Sequence, residues 1–188
     1  MEYRLIENFL VKAKNAFLNR DVSTLKNLSN EVIKHAVIKT DKRLAEVAVL
    51  CYALMKISSK NHIIKSGSWE STKNKIALHI DKTKLSLSDS NKFSFEKEVI
   101  RLHESVMAVD SQLGHYVMNT VAKARLKLAS SAYALGLSLG SASDLTGADK
   151  KELMAYIGAT TIHDEEHAEM SIAKRMKKFN GLLGGKQS

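Results

Sequence analysis

The 188-residue sequence predicts an all-α fold, and three observations carry that expectation. Apolar residues recur at three- and four-residue spacing through most of the chain, the pattern of amphipathic helices. There is no proline, so the commonest breaker of helix interiors is missing. Alternating runs of β-branched and aromatic residues, which a half-buried strand needs, are also missing. The expected architecture is a helical-hairpin array over residues 1–90, followed by a helical half over residues 91–188 with a helix-turn-helix-like corner at 139–158.

Residues 2–19 place Leu5, Ile6, Phe9, Leu10, Ala13, Ala16 and Phe17 on one helical face, and Asn19-Arg20-Asp21 breaks the pattern. A second helix is expected over 23–39, with Leu25, Leu28, Val32, Ile33, Ala36 and Val37 in phase. Asp41 suits the N-cap of a third, over 42–59. That third helix is apolar almost all round between Val47 and Met55, which places it at the centre of a core. Three helices joined by short breaks resemble an array of the tetratricopeptide type in architecture, without its repeat consensus.

Residues 56–92 change character: eight lysines face Glu70, Asp81 and Asp89, and the only tryptophan, Trp69, lies here. Ser66-Gly67-Ser68 reads as a turn and cap before a helix starting near Trp69. Its apolar stripe is thin (Ile76, Ile80, Leu85 and Leu87), and a linker is expected at 86–91. Beyond it, helices are expected over 93–113, 115–137, 141–146, 150–157 and 162–179. The first of these is striped by Phe95, Val99, Leu102, Val106, Met107 and Val109. Gly114 and the Gly147-Ala148-Asp149 segment mark breaks, and residues 184–188 read as a frayed tail. Met107, Met118, Met154, Met170 and Met176 are expected as core filler.

The single cysteine, Cys51, excludes an internal disulfide and points to a reducing, cytoplasmic setting. It reads as a small buried hydrophobe and not as a nucleophile. Glu2, Arg4 and Glu7 lead to the expectation of no signal peptide, and the longest apolar run is too short to span a bilayer, so no membrane partner is expected. The formal net charge is +9, and residues 1–92 supply +8 of it. Such an excess favours polyanionic partners.

Residues 139–158 have the grammar of a helix-turn-helix. Ser143 is small where two helices approach, Gly147 supplies a left-handed turn, and Asp149 caps a second helix buried through Leu153, Tyr156 and Ile157. The segment resembles the helix-turn-helix of small archaeal antitoxin-like proteins that accompany PIN-domain nucleases, and segments ending in Tyr-Ile-Gly in uncharacterised archaeal helical proteins. The resemblance implies a second helix presenting Asp149, Lys150, Lys151, Met154 and Ala155 to a DNA groove. That set contains no Arg, Asn or Gln for bidentate base contacts, and residues 139–158 carry a net charge of −1. A tri-helical structural corner explains the same residues.

Two further constellations carry chemistry. Lys73, Lys75, Lys82 and Lys84 with Trp69 could hold single-stranded nucleic acid by phosphate contact and base stacking, aided by Lys150 and Lys151. The plainer reading is a solvated lysine face with Trp69 docked on a neighbouring helix. His163-Asp-Glu-Glu-His167 matches an H-x-x-E-H pattern in which His163 and His167 share a metal and Glu166 acts as base. It lacks a third ligand, and Asp164 with His167 lacks the second carboxylate-x-x-His motif that diiron ligation requires. Its acids near the start of a helix and Lys174, Arg175, Lys177 and Lys178 near the end equally suit the helix dipole. His35, His62, His79, His103 and His115 show no ligand spacing. No phosphate-binding loop or nucleophile elbow is present, and no cofactor is expected.

The leading expectation is thus a non-enzymatic, nucleic-acid-associated helical protein binding mainly through lysines. A protein–protein adaptor and a metal-dependent enzyme using His163, Glu166 and His167 are the alternatives. Nothing in the sequence fixes an oligomeric state.

Overall fold

A computed structural model describes residues 2–87, 92–111 and 120–163, together with Met176. These residues form nine helices and no strand: α1 (Glu2–Leu18), α2 (Val22–Lys39), α3 (Lys42–Ser58), α4 (Asn61–Ile64), α5 (Trp69–Ser86), α6 (Lys92–Ser111), α7 (Thr120–Ala134), α8 (Leu139–Thr146) and α9 (Lys150–His163). None of the described helices is long and apolar enough to cross a membrane.

Local chemistry sets the helix ends. Asp21 caps α2, accepting from the Thr24 amide at 2.9 Å and its hydroxyl at 2.6 Å. α2 stops where Thr40 turns left-handed (φ 50°) and its amide reaches back to the Val37 carbonyl. Asp41 then caps α3 through the Arg43 amide at 2.8 Å and also holds the Arg43 guanidinium at 2.9 Å. Burial alone would raise the Asp41 pKa, but these bonds and the Arg43 charge bring it below the usual carboxylate value. Arg20, itself at φ 56°, donates from Nε to the Ser58 carbonyl at 3.2 Å and from Nη2 to Asn61 Oδ1. The α1–α2 turn is thereby tied to the end of α3 and the start of α4.

α3 is the axis of the molecule. It packs against α1, α2, α4, α6, α7 and α8. Val47, Ala48, Val49, Leu50, Cys51, Ala53 and Leu54 are all buried. Small residues let neighbours close in, and the buried Ser29 hydroxyl of α2 donates to the Ala48 carbonyl at 3.2 Å. α5 lies on α6 and α1, with Trp69 edge-on to Phe17 at 5.8 Å and Lys14 paired to Asp81 at 2.6 Å. α7 packs on α3, α8 and α9, burying Val121, Ala124, Leu128, Ala129 and Ala132.

One hydrophobic core runs from Ile6 to Leu153, across α1 to α9. The boundary expected near residue 90 therefore separates no independent cores, because α3 is surrounded by elements from both sides of it. α4 was not anticipated: one turn is too short to show periodicity. Ser68 makes no capping bond to α5, and the Ser66 hydroxyl instead closes α4 by donating to the Ile63 carbonyl at 2.6 Å. α9 continues through Gly158 to His163, without the break expected before residue 162. The helix expected from 162 and the tail lie outside the described residues beyond His163, apart from Met176. Met107, Met154 and Met176 are exposed rather than core filler; Met118 and Met170 lie outside the described residues.

Candidate functional site

The lysines of α5 do not share one face. At 100° per residue, Lys73 and Lys84 fall on one flank of the helix and Lys75 and Lys82 on the opposite one. Carboxylates are interleaved with them: Lys73 meets Glu70 at 2.8 Å, and Asp81 receives Lys14. Lys75 and Lys82 are exposed, and Lys73 and Lys84 are half-buried. Trp69 is only 7% exposed, its ring consumed by contact with Phe17, so it offers no open face for stacking a base. Lys150 and Lys151 are exposed at the start of α9, which packs on α7 and α8, whereas α5 packs on α6 and α1.

The turn before α9 is well made. Gly147 is left-handed (φ 68°), the Ser143 hydroxyl donates to the Ala148 carbonyl at 2.6 Å, and Asp149 accepts from the Lys151 and Glu152 amides at 2.9 Å. Leu153 is fully buried, while Tyr156 and Ile157 are half-buried.

His163 ends α9, its side chain lying outside the described part of the structure, as do Glu166 and His167 entirely. Among the described residues no three His, Cys, Asp or Glu side chains are grouped to hold a metal ion. Burial pushes the Cys51 thiol up to about 12, which removes it as a nucleophile at neutral pH.

Lysines converge elsewhere. A groove of about 210 Å³ is lined by Tyr52 and Lys56 of α3, Lys60 just beyond it, and Thr120 and Lys123 of α7. Tyr52 and Lys56 are four apart on one helical face, and the Lys56 Nζ stands 5.4 Å from the Tyr52 ring centroid. Among the described residues no carboxylate lines this groove. Two helices and a turn thus bring three cations and an aromatic ring to one depression, a combination suited to a phosphate-bearing strand.

A second cleft, about 280 Å³, opens between α3, α6 and α7, with a polar cluster on its wall. Arg125 of α7 pairs with Glu46 of α3 at two points, 2.8 and 2.9 Å, and donates to the Thr146 carbonyl at the end of α8. His103 of α6 stands beside this pair, Nδ1 3.6 Å from Glu46 Oε2. Because Glu46 is already matched by Arg125, the imidazole faces a neutralised pair. Burial, reinforced by the Arg125 charge, then drives its pKa down to about 4. His103 Nε2 is buried with no hydrogen-bond partner among the described atoms. Sequence spacing could not reveal this cluster: Glu46 and Arg125 are 79 residues apart.

No family model matches the chain, and neither a curated protein nor a solved structure does.

Proposed function

We propose that this all-α protein is a non-enzymatic nucleic-acid-binding protein that holds a single strand in the groove between α3 and α7. The observation that carries the reading is the convergence of Lys56, Lys60 and Lys123 around Tyr52, with no carboxylate among the described residues that line the groove. Phosphates would meet the three ammonium groups, with the Tyr52 ring holding the Lys56 ammonium in place beside them. The net charge of +9 adds a long-range attraction for any polyanion. Compared with the α5 quartet, the groove joins cations from separate elements in one place, whereas Lys73, Lys75, Lys82 and Lys84 flank their helix on two sides.

Fluorescence anisotropy with a labelled oligothymidine tests the reading. Affinity should fall as salt rises, with a logarithmic slope of about −2 for three phosphate contacts on a single strand. Reversing Lys56, Lys60 and Lys123 together to Glu should abolish binding. Reversing Lys73, Lys75, Lys82 and Lys84 should weaken it far less. Salt-independent binding, or loss only with the α5 quartet, would overturn the assignment of the groove. Purification with a stoichiometric protein partner and no retained nucleic acid would instead support the helical-adaptor reading.

A further inference from the structure

The cleft beside Glu46, His103 and Arg125 has features that the proposed strand-binding groove does not use. One wall is apolar: Phe95 and Val99 form its buried part, and Ile100, 58% exposed, stands at the mouth. The opposite wall is the first turn of α3. There Arg43 is matched by Asp41, while Lys42 is exposed with no carboxylate partner among the described residues. On the α6 side, His103 lines the cleft and is buried, with Nε2 left unbonded. Its Nδ1 faces the Glu46 carboxylate, which favours the tautomer with the proton on Nδ1 and a lone pair on Nε2. An acceptor buried without a partner costs free energy that a donor on a bound molecule would recover.

We propose that this cleft binds a small organic monocarboxylate with an apolar body and a hydrogen-bond donor. The carboxylate pairs with Lys42 at the start of α3. The body lies along Phe95, Val99 and Ile100, and the donor satisfies His103. Glu96, exposed on the rim, disfavours a second negative charge on the ligand. The volume lies near the lower end of small-molecule sites, which suits a compact ligand and excludes a nucleotide-sized one.

The test uses the full chain and L-3-phenyllactate, which combines a phenyl body, a hydroxyl donor and one carboxylate. Two analogues each lack one feature: 3-phenylpropionate has no hydroxyl, and 1-phenyl-2-propanol has no carboxylate. Nitrogen NMR of the histidine side chains should show the unprotonated His103 nitrogen moving with phenyllactate and less with phenylpropionate. Titration should show 1-phenyl-2-propanol binding about tenfold or more weakly, since a charge-assisted contact is worth about 1.5 kcal/mol or more. Lys42→Ala and Ile100→Glu alter exposed positions, so both variants should fold, and each should weaken phenyllactate binding by a similar factor. No movement of the His103 signal at about 10 mM phenyllactate, weaker than any built site of this size, would overturn the proposal. So would equal binding of the alcohol, or binding unchanged in both variants. An oligothymidine titration on the same samples should leave the His103 signal still, which separates this site from the strand-binding groove.

Discussion

His103 is held neutral inside the fold, and that neutrality has a pH signature. Its folded pKa of about 4 lies below the unfolded value near 6.5, so the folded state binds fewer protons between those limits. Stability contributed by neutral His103 is complete above pH 6.5 and is lost as pH falls toward 4, amounting to about 3 kcal/mol. Urea midpoints taken from pH 7.5 to 4 should fall through that window, and His103→Gln should flatten the profile. Asp41 acts lower down. Its depressed pKa means its stabilisation is present above about 3.9 and disappears as pH drops through the folded value. Two glycines give a paired prediction. Gly147 is left-handed, and a Cβ there would sit 2.5 Å from an Arg125 nitrogen, so Gly147→Ala should cost at least about 1–2 kcal/mol. Gly158 lies inside α9 with open space around it, so Gly158→Ala should stabilise by about 0.5–1 kcal/mol. Thermal unfolding of the two variants should shift in opposite directions.

Among the elements, α3 carries the largest share of burial. Leu54→Ala should destabilise by about 2–5 kcal/mol, read from denaturant midpoints, because Leu54 is fully enclosed in a centre with little room to collapse. Lys56→Ala, two residues on and exposed, should leave stability almost unchanged while weakening strand binding. The first three helices were legible nearly to the residue because the apolar stripes, the break at Asn19-Arg20-Asp21 and the cap Asp41 agree. α9 was read short, because Gly158 looks like a stop in sequence yet meets nothing that would forbid a helix. The position of Trp69 followed its plainer reading: its large apolar surface is worth more against Phe17 than in water. The candidate groove was only partly legible. Lys56 and Lys60 stand out in a lysine-rich stretch, but Lys123 joins them through the packing of α7 on α3, which no local pattern encodes. His103 looked like any scattered histidine, since its neighbours come from two other helices.

At the scale of the whole molecule, a single core spanning α1 to α9 makes unfolding one event for the described chain. Trp69 fluorescence, which reports the α1–α5 contact, should change at the same denaturant concentration as the helical circular-dichroism signal. Separated transitions would mean that the halves hold together less tightly than their shared core implies. The same construction fixes the geometry of the charge. Carboxylates meet several of the cations around α1, α5 and α6, as in Lys14–Asp81, Lys73–Glu70 and Arg101–Glu98, whereas the α3–α7 groove gathers three lysines with no carboxylate among its described lining residues.

Arg125 grips a carboxylate on one helix and the closing carbonyl of another, so a single guanidinium fastens two joints at once. A solute that drew Glu46 away would slacken the corner leading into α9 without touching it. Faster hydrogen exchange at the Gly147 and Ala148 amides would be the first sign of that loosening.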